Sequence, residues 1–144
     1  MAGVVKVSDA ASLALHASAY LAAREGERVA TSRIAEALTV SAAHLAKVLG
    51  RLERAGLVRG RRGPGGGFEL ARSPDRVTLR QVYEAVEGPI TSDRCLLGEP
   101  VCRGGCMLGG LLRSVDDEIR SRLGAVRLSD VADRFRPRAG AKSK

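Results

Sequence analysis

The chain has 144 residues, a formal net charge of +8, 44% hydrophobic and 28% charged residues and no tryptophan, with a pI of ≈ 10.2. That length buries one core, so the default is a single domain with extensions; with only 3% aromatic residues the core must be aliphatic, and the abundance of alanine and leucine favours helices. The odd count of three cysteines argues against a structural disulfide framework, and the basic balance suggests a polyanionic partner.

The opening stretch MAGVVKVSDAASLALHASAYLAA is apolar, but Lys6, Asp9 and His16 interrupt it. No uncharged run approaches the ~20 residues of a membrane span. The order of charge and apolar segment does not read as a signal peptide either, so the expected setting is cytoplasmic, with no membrane partner. Ser8 reads as the cap of a first helix ending near Arg24, and Gly26 breaks the pattern. Thr31 and Ser32 open a short second helix with Ile34, Ala35 and Leu38 on one face. After the turn TVS, Ser41 caps a third helix whose apolar stripe is Leu45, Val48, Leu49 and Leu52 and whose stop is Gly56. Two short helices joined by a three-residue turn predict a helix-turn-helix.

The next run, LVRGRRGPGGGFELA, has a short apolar start, a turn-dense tip at Gly63 to Gly67 and a return strand at Phe68 to Leu70, which is how a β-hairpin wing is written. From Lys47 to Arg62 there are six Lys or Arg residues and one acid, Glu53, so positive charge concentrates on the third helix and the wing. This is an electrostatic footprint for DNA; the bland alternative is a solvated basic face. Ser73 to Asp75 read as a loop, and TLRQVYEAVEG as a helix capped by Thr78, with Leu79, Val82, Tyr83 and Val86 inward and Gly88 and Pro89 ending it. Beyond a loop over 90–106, Leu108, Leu111, Leu112, Val115, Ile119 and Leu123 recur at helical spacing. A long amphipathic helix outside the core is expected to pair with its own copy. RLSDVADRF reads as a last short helix and 136–144 as a disordered basic tail. The expected architecture is mainly α: a winged helix-turn-helix domain with a small β-hairpin wing (1–89), a cysteine-bearing sensor loop (90–106) and a dimerisation helix with a short final helix (107–135).

All the sulfhydryls sit in CLLGEPVCRGGC, where Cys95, Cys102 and Cys106 are separated by six and then three residues. In a reducing compartment an odd number of clustered cysteines points to metal, redox or catalytic chemistry. An enzyme could use Cys102 or Cys106 with His16 or His44, but no phosphate-binding loop, nucleophile elbow or other catalytic signature accompanies them. Left open are an iron-sulfur cluster, a Cys3His zinc site, a Cys102–Cys106 thiol switch, inert cysteines and a zinc-stabilised interaction module.

The stretches AGLVRGRRGPGGGFELA and VTLRQVYEAVEG, followed by a three-cysteine loop and a long helix, closely resemble the bacterial winged-helix regulators typified by the iron-sulfur-cluster regulator IscR and the nitric-oxide sensor NsrR; the resemblance covers about residues 4 to 135. It implies a homodimer on a pseudo-palindromic double-stranded DNA operator, with the third helix in the major groove and the wing tip in the minor groove. It also implies a 2Fe-2S or 4Fe-4S cluster on Cys95, Cys102 and Cys106. The second cysteine gap is shorter here than in cluster-binding members, so the cluster type stays open. In the family the fourth ligand is an acid or histidine from the first helix of the other subunit. Ser12 stands where the acid is common; His16, which matches a histidine ligand of a 2Fe-2S member, ranks first, Asp9 second, and Glu99 is an outside alternative. Asp9, Ser12 and His16 share one helical face by spacing.

On the third helix Ser41, Ala43, His44 and Lys47 lie at or near the outward N-terminal end, where base edges are reached, with Lys47 the foremost specificity residue. Arg51 and Arg54 are placed for phosphates, and Arg61 and Arg62 flank a wing tip, including Gly65 and Gly66, suited to a narrow minor groove.

Overall fold

The computed structural model describes residues 5–91 and 95–136. Its elements follow in the order α1 (Asp9–Ala22), α2 (Thr31–Leu38), α3 (Ala42–Arg54), β1 (Val58–Arg61), β2 (Gly67–Leu70), α4 (Leu79–Glu87), α5 (Gly109–Ala125) and α6 (Leu128–Val131), with 3-10 turns at Pro74–Arg76 and Ala132–Phe135. This is the mainly helical winged helix expected from the sequence.

The caps are the ones the side chains dictate. Ser8 accepts the Ala11 amide and Ser41 the His44 amide, while Thr78 and Gln81 close a reciprocal capping box at α4. The turn between α2 and α3 passes through Thr39, the only non-glycine residue with positive φ (56°) among the described residues. Small departures from expectation occur at element ends. α1 stops at Ala22 rather than near Arg24, β2 begins at Gly67, and the segment before α4 tightens into a 3-10 turn led by Pro74.

Helix α1 is the axis of the core. Nine of its 14 residues are buried, because both α3 and α4 pack on it and the alanines at 11, 14 and 17, all at 0% exposure, let neighbouring helices approach closely. Ile34 from α2, Leu45, Val48, Leu49 and Leu52 from α3, Val77 and Val82 complete an aliphatic cluster, as the low aromatic content requires.

Two long-range backbone pairings tie the ends to this core. The amide of Val29 donates to the Phe68 carbonyl at 2.9 Å and the Phe68 amide returns the bond at 2.8 Å, so the α1–α2 linker docks on the outer edge of β2. Gly67 is obligatory there: its φ is 145° and a β-carbon would lie 2.2 Å from the Val29 carbonyl oxygen. After α5 the chain returns to pair Leu79 with Val126 and Leu128 with Val77, both at 2.9 Å, and Leu128 and Ala132 enter the core fully buried.

Helix α5 behaves differently. None of its 17 residues is buried; it rests on α4, and Leu111 remains 64% exposed. Tyr83 lies at this joint, where burial, followed by the charges of Glu87 and Asp116, raises its phenol above the ordinary value of 10.0. Arg120 braces α5 by donating to the carbonyl of Ile90. The basic tail expected over 136–144 lies outside the described residues from 137 on.

Candidate nucleic-acid interface and cysteine loop

Along α3, Leu45, Val48, Leu49 and Leu52 face inward while Ser41, Ala43, His44, Lys47, Arg51 and Arg54 are exposed, so the amphipathic period that builds the core also presents the polar face outward. The Ser41 hydroxyl oxygen accepts the His44 amide and so caps the helix. Arg51 donates to the Val86 carbonyl at the end of α4 at 3.4 Å, which ties it to the scaffold as well as to the surface.

The hairpin pairs Val58 with Leu70, Arg59 with Glu69, Gly60 with Phe68 and Arg61 with Gly67. Glu69 sits between Arg59 at 3.7 Å and Arg28 at 3.5 Å. That carboxylate therefore occupies Arg59 and Arg28. Lys47, Arg54, Arg61 and Arg62 make no ion pair among the described residues. The tip turns on Gly63 and Gly65, both at positive φ, and at Gly66 a β-carbon would fall 2.4 Å from the Arg61 carbonyl oxygen. A cleft of ≈ 530 Å³ separates the wing from the start of α2 and is bordered by Thr31, Ser32, Arg61 and Arg62. Glu53, read in the sequence only as an exception to the basic run, accepts the Gly60 amide at 2.5 Å and links α3 to β1.

Helix α1 brings Asp9, Ser12 and His16 to one groove of ≈ 430 Å³, whose far wall is Leu38, Val40, Ser41 and His44. The face inferred from spacing is therefore real, and it adjoins the start of α3. His16 is exposed, and its Nδ1 lies 2.6 Å from the Ser12 carbonyl oxygen. Donation from Nδ1–H to that carbonyl leaves Nε2 as the lone-pair nitrogen, the arrangement common in metal-binding histidines. Phe135 meets the imidazole edge-on at 6.2 Å.

The loop carries Cys95 half-buried and Cys102 and Cys106 exposed, all three free. The Cys95 thiol points to the Glu99 carbonyl at 3.7 Å. Among the described residues no three His, Cys, Asp or Glu side chains are gathered closely enough to hold a metal ion. The donors thus suit an iron-sulfur cluster in kind, thiols plus an imidazole with a free nitrogen, but the loop would have to draw its thiols together around one. No helix among the described residues is long and apolar enough to cross a membrane.

Comparison with known proteins agrees with this arrangement. The HTH-type transcriptional regulator IscR of Xenorhabdus nematophila is 36% identical over 112 residues, 70% of this chain and 68% of that protein. The structure of CymR, the global cysteine regulator of B. subtilis, superposes with a TM-score of 0.76 at 25% identity, covering 91% of this chain and 98% of that one. T. potens IscR superposes at 0.74 and 23% identity, covering 98% and 95%. The Rrf2 family, described as iron-dependent transcriptional regulators, matches residues 7–134. The chain belongs to the Rrf2 family and is a transcriptional regulator, not an enzyme.

Proposed function

We propose that this regulator binds a pseudo-palindromic operator as a homodimer and that its affinity is set by an iron-sulfur cluster at the cysteine loop. The observation that carries the DNA half is the run of cations along α3 and the wing that make no ion pair among the described residues: Lys47, Arg54, Arg61 and Arg62 face outward on two adjoining elements. Charges left without carboxylates are available to displace counterions from phosphate. Ser41, Ala43, His44 and Lys47 reach base edges in the major groove, Arg51 and Arg54 hold phosphates, and Arg61, Arg62, Gly65 and Gly66 enter the minor groove. Residues 1–89 do this work and α5 pairs the protomers; that none of its residues is fully buried within one chain supports that role.

For the sensor half, Cys95, Cys102 and Cys106 would hold the cluster and His16 would complete the set, from the partner subunit, with Asp9 the second choice. A bound cluster supplies iron- and redox-dependence. The chain's own contribution is geometric: the α1 face that bears His16 also walls the groove against His44 and Ser41, so ordering this face bears on the start of α3. A coupling of ~1–3 kcal/mol changes operator occupancy severalfold or more. Anaerobic purification with a visible spectrum, iron and acid-labile sulfide assays tests this on wild type and His16→Ala. Colour with stoichiometric iron and sulfide, altered in the variant, is the expected result.

A second reading rests on the exposure of Cys102 and Cys106 and on the likeness to a cysteine regulator. In it an oxidant takes two electrons and two protons from these thiols to form a disulfide. A colourless, iron-free protein that gains this disulfide under mild oxidant would favour it. Either chemistry belongs in a cytoplasmic regulator.

A further inference from the structure

Between Lys47 and Arg62 the chain keeps a single carboxylate, Glu53, on the exposed face of α3 among six cations. It pairs with none of them among the described residues. Its Oε2 accepts the backbone amide of Gly60 at 2.5 Å. Gly60 is pressed from both sides: a β-carbon there would lie 2.8 Å from that carboxylate oxygen and 2.7 Å from the Phe68 ring. Phe68 is itself bonded to Val29 through both backbone groups. The wing is therefore held at two points, by the α1–α2 linker on β2 and by one side chain of α3 on β1. A carboxylate beside a DNA-facing surface repels phosphate, so its presence calls for a compensating role.

We propose that Glu53 is a positioning residue for operator discrimination: by holding the Gly60 amide it fixes the reach of Arg61 and Arg62 relative to the base-reading end of α3. This rests on the DNA-binding reading above. A free β1 edge lets the wing sample several angles. Binding to DNA of any sequence survives that freedom, whereas a site requiring both elements at one spacing does not.

The test compares wild type, Glu53→Ala and Glu53→Gln on two probes: a duplex selected by the wild-type protein from a randomised pool, and an unselected duplex of equal length. Exchange of the Gly60 amide is followed by NMR in the same proteins. Glu53→Ala is expected to lose about tenfold in the affinity ratio between the probes and to lower the salt slope by about one ion on the selected duplex. Its Gly60 amide exchanges faster. Glu53→Gln, which keeps an acceptor but not the charge, stays within about twofold of the wild-type ratio with the amide protected. If both variants instead bind both probes tighter by the same factor, Glu53 is only a repelling charge and the proposal fails. A wild type that selects no duplex removes the DNA reading and this one with it, a result distinct from selection by wild type with variants that match it, which removes the positioning role alone.

Discussion

Two regions of this chain solve the problem of burial in opposite ways. The winged helix hides Ile34, Leu45, Leu49, Leu52 and Val82 at 0% exposure around α1, whereas α5 runs 17 residues without burying one, and the loop before it leaves Leu97 73% and Met107 83% exposed. The first region is complete within one protomer. The second leaves apolar surface that a single chain does not cover, which is what the proposed pairing with a second copy requires. The difference separates what holds the fold from what, in the proposed function, changes state. A regulator needs a reading head of fixed geometry and a part whose order costs little to alter.

The largest effect that would test this division is on stability. Leu49→Ala empties a fully buried position of α3, and its cost is expected at about 3 kcal/mol, lowering the thermal midpoint by about 10 °C. The triple change Cys95→Ala, Cys102→Ala, Cys106→Ala in metal-free protein is expected to fall within ~0.5 kcal/mol of wild type, since two of the three side chains are exposed and none is bridged. Scanning calorimetry of the two variants side by side is decisive. Equal destabilisation would mean that the loop is part of the core's support after all.

The core was legible in the sequence because its signals are local. Ser8, Ser41 and Thr78 announce their helices one by one, the stripe from Leu45 to Leu52 repeats at helical spacing, and the wing tip is spelled in glycines whose positive φ the structure requires. What stayed hidden is non-local. The Val29–Phe68 and Thr78–Arg127 pairings are made by backbone groups, which every residue has, so no residue type marks them. Leu128 and Ala132 read as part of a small terminal helix, yet they finish the core of a domain that begins more than a hundred residues earlier. The candidate site divides in the same way. The face of Asp9, Ser12 and His16 followed from spacing, but His44 across the groove, and Glu53 reaching the Gly60 amide, depend on how α1, α3 and the wing meet.

Next in size is the dimer. Leu111→Glu places a charge at an exposed apolar position of α5 without touching a buried residue. Sedimentation is expected to show monomer at concentrations where wild type is paired, with circular dichroism unchanged. Affinity for a selected duplex should fall by about 100-fold as the two half-sites lose their linkage. A dimeric Leu111→Glu would assign the pairing surface elsewhere.

A smaller effect separates the reading head's charges from one another. Arg62→Ala is expected to weaken binding severalfold on all duplexes and to reduce the salt slope by about one. Arg59→Ala should change the slope less, because Arg59 is already engaged by Glu69 across the hairpin. The pair is read by fluorescence anisotropy over a salt series, and equal slopes for the two variants would show that the Glu69 pair yields to DNA.

The smallest signal comes from the joint between the two regions. Tyr83 is held above the ordinary tyrosine value first by burial and then by Glu87 on α4 and Asp116 on α5. The neutral phenol is the form favoured in the folded chain, so its stabilising contribution is complete below the unfolded value near 10 and is lost as pH rises through the folded one. An ultraviolet titration of wild type minus Tyr83→Phe isolates this group, and its midpoint is expected above 10.0. Because the Asp116 charge acts from α5, the same midpoint measured in protein with and without the proposed cluster reports whether α5 leaves α4. A fall toward the ordinary value on iron removal would place the moving part at this joint. An unchanged midpoint would confine the change to the loop and to the α1 face that carries His16.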